Sequence, residues 1–401
     1  MVNGFAGFLR RVLTYARMYS ALLTALLTSI SGLAVSITVA RNASVDEMAR
    51  FAVAFAVYLL VTGMTKAMVA EPLSAALPDA RGVRAGGGVN ASWSLLFGGL
   101  AIGTGLLVSS PYLLLVGFTA HGVCLGEFSK SVSTAFLNPW TAVWQEGGRL
   151  VLFLAMLLSL GSGSNPVMTF GAWLVAGALA GYAGALAQRL ALRPARRHPS
   201  VPTRMSLSYA ADHLLGDGTT QLGTFGIAVW APPSTNAGMR GVGTLLGPVA
   251  TLVAAGRPLI IPFLSRGRRR GVAAGSTRHL VLAMVLMAVP MLVVVNCIPD
   301  ILGEAVLGDT WGVAKPLLPI MSVEAVLAML STIAYAGHRS YAAHGRTLRI
   351  RCAVSPVRLA FIVGGGAWAG PLGAAWGTLI ATMTSSAVWW MSYSNLMKKE
   401  N

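Results

Sequence analysis

Long apolar runs separated by short polar or basic joints repeat along the whole chain. A membrane-crossing helix needs about 20 mostly apolar residues at about 1.5 Å rise each. Runs of that kind lie near 18–40, 50–70, 91–109, 112–128, 140–160, 166–188, 208–230, 238–264, 279–299, 313–336, 352–367 and 372–394. They predict an all-α polytopic membrane protein with about 12 transmembrane helices and little chain outside the bilayer. Three runs fit the template least: the fourth contains His121 and Glu127, the fifth opens on Gln145-Glu146-Gly147-Gly148-Arg149, and the eleventh is short and contains Arg358. Ahead of the first run, Phe5, Phe8, Leu9, Val12 and Leu13 form an apolar face beside Arg10, Arg11 and Arg17. Residues 1–17 therefore read as a cytoplasmic amphipathic lead-in, a better fit than a secretory signal.

Composition agrees: 55% of the 401 residues are hydrophobic and 11% are charged, against about 25% charged in soluble domains. The net charge of +17 does not point to nucleic acid, because the basic residues sit in short clusters between apolar runs. They obey the positive-inside rule instead. With the N-terminus in the cytosol, 22 of the 30 Lys and Arg fall on cytoplasmic joints, Lys130 among them. Only Arg41, Arg50, Arg240 and Lys315 fall outside, while Lys66, Arg149, Arg257 and Arg358 lie within spans. That asymmetry supports an even number of helices with both termini cytoplasmic. Cys124, Cys297 and Cys352 lie in or beside apolar runs without metal-ligand spacing and read as small packing residues.

The layout divides into an N-lobe (18–190), a basic linker (191–207) with Pro194, Pro199 and Pro202, a C-lobe (208–394) and a short cytoplasmic tail (395–401). At an offset of 190 residues Ser44, Arg50 and Pro72 fall on Ser234, Arg240 and Pro262, but the repeat rests on the layout of helices. Two parallel six-helix repeats suggest two bundles about a central cavity.

No GxxxxGK[ST] and no HExxH motif is present. The predicted external joints are too short to form a catalytic pocket, which argues against a membrane enzyme. The remaining chemistry is intramembrane charge, which is expensive and tends to face internal cavities. Arg257 stands about 13 Å from the cytoplasmic end of its span at about 1.5 Å per residue, too deep for simple snorkelling, and so points to a wet cavity. For Lys66 and Arg358, snorkelling and ligand binding both fit; for Arg50 and Arg240, interface capping and binding both fit. Asp217, in Leu215-Gly216-Asp217-Gly218-Thr219-Thr220-Gln221, marks a weakened helix that either holds Na⁺ or H⁺ or forms a hydrogen-bonded kink. Glu324 reads as a neutral core carboxyl or a second coupling residue. Glu146 and Arg149 read as a simple helix pair, and His121 as a hydrogen-bonded packing residue.

Several stretches resemble polysaccharide flippases. Ala40-Arg41-Asn42-Ala43-Ser44-Val45-Asp46-Glu47-Met48-Ala49-Arg50-Phe51-Ala52 resembles their first external turn, and Glu71-Pro72-Leu73 the close of their second helix. Ala237-Gly238-Met239-Arg240-Gly241-Val242-Gly243-Thr244-Leu245-Leu246-Gly247-Pro248 is similar to the opening of helix eight, which Pro262 ends, and Leu307-Gly308-Asp309-Thr310-Trp311 to the element before helix ten. The resemblance is to the O-antigen and exopolysaccharide flippases of the multidrug/oligosaccharidyl-lipid/polysaccharide exporter superfamily. It implies two lobes around a V-shaped lumen that, by alternating access, carries a polyprenyl-diphosphate-linked oligosaccharide across the bacterial cytoplasmic membrane for surface polysaccharide biosynthesis. Membrane lipids, a polysaccharide polymerase and glycosyltransferases would be its partners. A cationic lumen suits a diphosphate, which Arg grips through its planar fork. Arg257 leads that site, with Arg240, Arg358, Lys66 and Arg50 behind it, and Asp217 and Glu324 supply Na⁺ or H⁺ coupling. A cation-coupled multidrug exporter of the same superfamily and a polymerase subunit are the competing readings.

The charge pattern makes a direct prediction. Reporter fusions after Asn401 and after Arg196 will both read as cytoplasmic, and an externally active reporter at either site would refute the even helix count.

Overall fold

The computed structural model describes the backbone of residues 2–76, 79–161, 163–196, 201–269, 272–341 and 343–398; side chains are described within these ranges except at 2–18, 75, 252–259, 261, 262, 269, 273 and 344. Among the described residues the chain is helical, without strands. The first half runs α1 (Val2–Asn42), α2 (Val45–Thr65), a π-turn (Lys66–Ala70), α3 (Glu71–Ala76), α4 (Ala80–Leu107), α5 (Pro111–Ala135), α6 (Trp140–Leu160) and α7 (Pro166–Ala187). The second runs α8 (Thr203–Leu215), α9 (Gly218–Trp230), α10 (Pro233–Leu245), α11 (Gly247–Arg269), α12 (Ala273–Asn296), α13 (Asp300–Leu307), α14 (Trp311–Ala314), α15 (Leu318–Ser340) and α16 (His344–Lys398).

Local chemistry sets these boundaries. Ser44 and Glu47 form a capping box at the start of α2: the Glu47 carboxylate accepts from the Ser44 N–H at 3.1 Å, and the Ser44 hydroxyl accepts from the Glu47 N–H at 3.3 Å. Asp79 caps α4 by accepting from the Gly82 N–H at 2.7 Å. Asn165 caps α7, where Pro166 takes the first helical position and forfeits no hydrogen bond.

Nine helical segments among the described residues are long and apolar enough to cross a membrane. The expected seventh, eighth, eleventh and twelfth runs do not appear as separate spans among these nine; much of the eighth lies outside the described side chains. The expected seventh and eighth spans are each broken midway, at Gly216–Asp217 and at Leu246. Glycines flank the first break and Gly247-Pro248 follows the second, and these are the poorest helix formers. The continuous helix expected over 238–264 is thus corrected to two pieces. The expected eleventh and twelfth spans, in contrast, lie in α16, which turns sharply at Ala369 and Gly370; Gly370 takes φ +59°, which a side chain would resist, and Pro371 starts the return. A Cβ on Gly373 or Gly377 would sit 2.0 or 2.1 Å from the carbonyl oxygens of Gly365 and Phe361. The two arms of α16 therefore pack backbone to backbone as an antiparallel hairpin.

The chain forms two compact units. Unit 1 comprises Met1–Asn42 and Ala54–Leu214; unit 2 comprises Ala43–Val53 and Leu215–Asn401. Within unit 1 the start of the expected linker is held by backbone hydrogen bonds. The Ala191 N–H donates to the Arg84 carbonyl at 3.0 Å and the Ala195 N–H to that of Gly88 at 2.9 Å, so the segment after α7 lies along α4. Large apolar side chains face outward, such as Leu158 at 84% and Trp368 at 91% exposure. Such surfaces are tolerable where lipid covers them.

Unit 1 packs through small residues. A Cβ on Gly181 of α7 would fall 2.0 Å from the Gly122 carbonyl oxygen of α5, the close approach typical of helices joined in lipid. Replacing Gly181 by Leu will lower stability by about 1–3 kcal/mol through overpacking. Thermal unfolding in detergent measures this, and an unchanged melting temperature would contradict the contact.

Candidate functional site

Two groups of charges lie inside the helices, one in each unit. In unit 1, α5 presents Glu127 and Lys130 and α6 presents Gln145, Glu146 and Arg149. Lys130 Nζ lies 2.6 Å from Glu146 Oε1 and 2.7 Å from Glu127 Oε1. Arg149 Nη1 stands 3.9 Å from Glu146 Oε1, and its other terminal nitrogen donates to the Tyr58 hydroxyl at 3.4 Å. The guanidinium lies 4.1 Å from the centre of the Trp173 ring, whose indole N–H donates to Ser31 at 2.8 Å. Glu146, Arg149 and Lys130 are 1%, 3% and 8% exposed.

One polar layer supports this cluster. Ser129 donates to Gln145 Oε1 at 2.8 Å, Gln145 Nε2 donates to the Gly126 carbonyl at 2.9 Å, and Gln188 Nε2 donates to the Ser129 hydroxyl at 2.7 Å. Two acids and two bases balance, which is the condition for keeping ions out of water. Glu146 Oε2 and Arg149 Nε remain buried without hydrogen bonds, so the cluster keeps one open acceptor and one open donor.

The expected placement of Lys130 on a joint between spans is thereby corrected. Helix α5 continues to Ala135 and buries Lys130, because two carboxylates offset its charge. The Glu146–Arg149 pair is real but belongs to a four-charge cluster. Sequence reasoning missed Lys130, Glu127 and Tyr58 as members. The available signal was Glu127 three residues before Lys130, repeated by Glu146 three residues before Arg149.

In unit 2 the group lies on α10, α15 and α16. Arg240 of α10 is half-buried, with its guanidinium 5.4 Å from the Phe51 ring centre. Asn236 ties α10 to α9 by donating to the Thr224 carbonyl at 3.1 Å. Glu324 of α15 is 8% exposed and accepts from Thr382 of α16 at 2.8 Å. The half-buried Arg358 of α16 is close enough to act on Glu324 electrostatically, so these two expected site residues come together.

Three of the remaining expected residues are exposed. Lys66 is exposed at the start of the π-turn, Arg50 is exposed on α2, and Asp217 is exposed at the break between α8 and α9. At that break the freed Leu215 carbonyl accepts hydrogen bonds from Thr219, at 3.1 Å, and from Ser355. Arg257 lies on α11, but its side chain falls outside the described residues.

Several motif residues serve structure. Trp311 packs over Gly303, where a Cβ would come within 2.2 Å of the indole, and its N–H donates to Asp300 at 2.9 Å. His121 hydrogen-bonds the Tyr182 hydroxyl at 2.8 Å. Among the described residues no group of three or more His, Cys, Asp or Glu side chains could hold a metal ion.

No family model and no curated protein matches the sequence. Solved structures do match the fold. The structure of the lipid II flippase MurJ in an inward closed conformation aligns with TM-score 0.70 at 11% identity, over 95% of this chain and 87% of that one. An outward-facing multidrug resistance MATE family transporter of the MOP superfamily aligns with TM-score 0.58 at 14% identity, over 97% and 96%. The Vibrio cholerae MATE transporter VcmN in its bent form aligns with TM-score 0.53 at 17% identity, over 97% of each chain. The chain is an all-α polytopic membrane protein. Its fold is the one shared by the MurJ flippase and the MATE transporters of the MOP superfamily.

The unit 1 cluster can be tested by stability. Lys130→Met leaves Glu146 and Glu127 facing a single base and will cost about 3–5 kcal/mol. Lys130→Met/Glu146→Gln restores one acid and one base and will recover part of that loss. Equal unfolding temperatures for the single and double variants would show that charge imbalance is not the cause.

Proposed function

We propose that the protein is a transporter that flips a polyprenyl-diphosphate-linked oligosaccharide across the bacterial cytoplasmic membrane. The observation that carries this reading is a pair of half-buried arginines, Arg240 and Arg358, on helices of unit 2 in a fold shared with a lipid II flippase. Arginine within the bilayer is costly unless it meets an anion or water. A diphosphate offers the oxygens that a guanidinium grips in pairs. The isoprenoid tail can remain in lipid while the headgroup meets these cations. Arg257 is assigned to the same role from its depth in the sequence, and Lys66 and Arg50, both exposed, to the path of the headgroup.

Coupling to Na⁺ or H⁺ is assigned to carboxylates inside the helices. Glu324 has the cation Arg358 within electrostatic reach, and Glu146 keeps one unbonded oxygen. Asp217, exposed at its helix break, is the third candidate. A multidrug exporter is the second reading, favoured by the MATE likeness; its organic-cation cargo would call for acids where Arg240 and Arg358 stand.

Purified protein in liposomes with a fluorescent undecaprenyl-diphosphate-linked sugar tests the proposal. The native chain will move the lipid, and Arg240→Ala, Arg358→Ala and Arg257→Ala will each slow it about tenfold, the value of one charge-assisted contact. Liposomes that move ethidium but no lipid-linked sugar would establish the exporter reading instead.

A further inference from the structure

A cavity of about 240 Å³ lies within unit 1, and its wall has two chemical sides. The π-turn, α3 and α4 supply an apolar side that includes Met68, Leu73, Val89 and Trp93. The segment after α7 and the start of α8 supply a polar side with Arg196, Thr203 and Ser206.

The cavity is a built feature. The segment that carries Arg196 is held along α4 by the backbone hydrogen bonds of Ala191 and Ala195, and by the Ser92 hydroxyl donating to the Ala195 carbonyl at 2.9 Å. It can lie that close because α4 has Gly87 and Gly88 there. A Cβ at either position would come within 2.7 or 2.8 Å of the Ala191 or Arg193 carbonyl oxygen. The same stretches carry Arg81, Arg84, Arg189 and Arg193, and no acidic residue occurs from Ala80 to Gly126 or from Leu150 to Ala211. Of the nearby acids in sequence, Glu71 and Asp79 are exposed and Asp212 is half-buried on α8; none of the three lines the cavity.

An arginine beside two hydroxyls, in a wall without an acid, selects an anion with several acceptor oxygens. The apolar wall selects an anion attached to hydrocarbon, and a tryptophan there suits a boundary between wet and oily parts of a ligand. Size decides further: pockets for drug-sized molecules start at about 300 Å³, so this one has room for a headgroup and its first methylenes but not for an oligosaccharide. The positive-inside rule puts the arginine-rich end in the cytosol, where the leaflet is anionic.

We infer that this cavity binds the phosphate headgroup of an anionic membrane lipid, separately from any transported cargo. Arg196 and the hydroxyls of Thr203 and Ser206 hold the phosphate, and Trp93 and Leu73 border the start of the chains. The bound lipid fastens the strapped segment to α4.

Native mass spectrometry of the full-length protein tests this with three probes: phosphatidylglycerol, phosphatidylcholine and inorganic phosphate. Phosphatidylglycerol will be retained over phosphatidylcholine, and inorganic phosphate at equal concentration will not displace it. Arg196→Gln will lower its retention about tenfold, as expected for loss of a charge-assisted contact; the exposed Arg349→Gln will leave it unchanged. Thr203→Trp, at an exposed position that borders the cavity, fills it without removing a charge and will also lower retention. It carries the test if Arg196→Gln unfolds in a parallel melting scan. Equal retention of the two lipids, equal behaviour of Arg196→Gln and Arg349→Gln, or ready displacement by phosphate would overturn the inference.

Discussion

In hydrocarbon no water is available to repair an unmatched polar group, and the contact between Lys130 and Glu146 shows how unit 1 meets that constraint. At 2.6 Å, with both side chains almost fully buried, the pair tolerates little displacement between α5 and α6. Residues 129 and 145 make the adjacent contact between the same two helices, so consecutive positions on each helix are paired. Arg149 extends the cluster to Tyr58 of α2 and Trp173 of α7. Four helices are thereby set by one electrostatic condition, and the glycine contact of α5 with α7 follows once these helices are drawn together.

Unit 2 obeys the same constraint by different means. Its helices are interrupted within the hydrophobic runs, and each interruption frees backbone carbonyls that something must satisfy. At the α8–α9 break hydroxyl groups do so: Thr219 and Ser355 both donate to Leu215. Its buried acid, Glu324, has a threonine donor and a nearby arginine where Glu146 has a lysine in direct contact. The charges of Glu324 and Arg358 are therefore less completely matched inside the protein. A charge left partly open is the one that can exchange its partner for a ligand.

The hydrophobic runs made the order of the helical regions legible, because about 20 apolar residues have few other uses. The turn at Gly370-Pro371 could be placed because two strong helix breakers stand together in a run too long for one crossing. Gly216-Asp217-Gly218 announced a weak point, and a complete break is what the structure shows. The break at Leu246 was equally encoded in Gly247-Pro248, but run length hid it. Lys130 was illegible for a different reason. A lysine reads as the end of a span unless its partners are known, and Glu146 comes from another helix. The strap along α4 was equally unreadable: Gly86-Gly87-Gly88 signals space for a neighbour without naming the neighbour.

The balance of sign within the helices separates the two transport readings on physical grounds. An organic cation leaves water more readily when it exchanges hydration for carboxylates or aromatic faces. A diphosphate requires the reverse, with guanidinium groups whose charge is still open to it. Among the described residues of unit 1, both buried bases, Lys130 and Arg149, have an acid within 4 Å, so that cluster offers little net field to either cargo. In unit 2, Arg240 has an aromatic face beside it, and Arg358 acts on a carboxylate that Thr382 already engages. Arg358 thus meets softer surroundings than the bases of unit 1, whose charge is spent on structure. For the function proposed above, such surroundings are what an anionic headgroup requires.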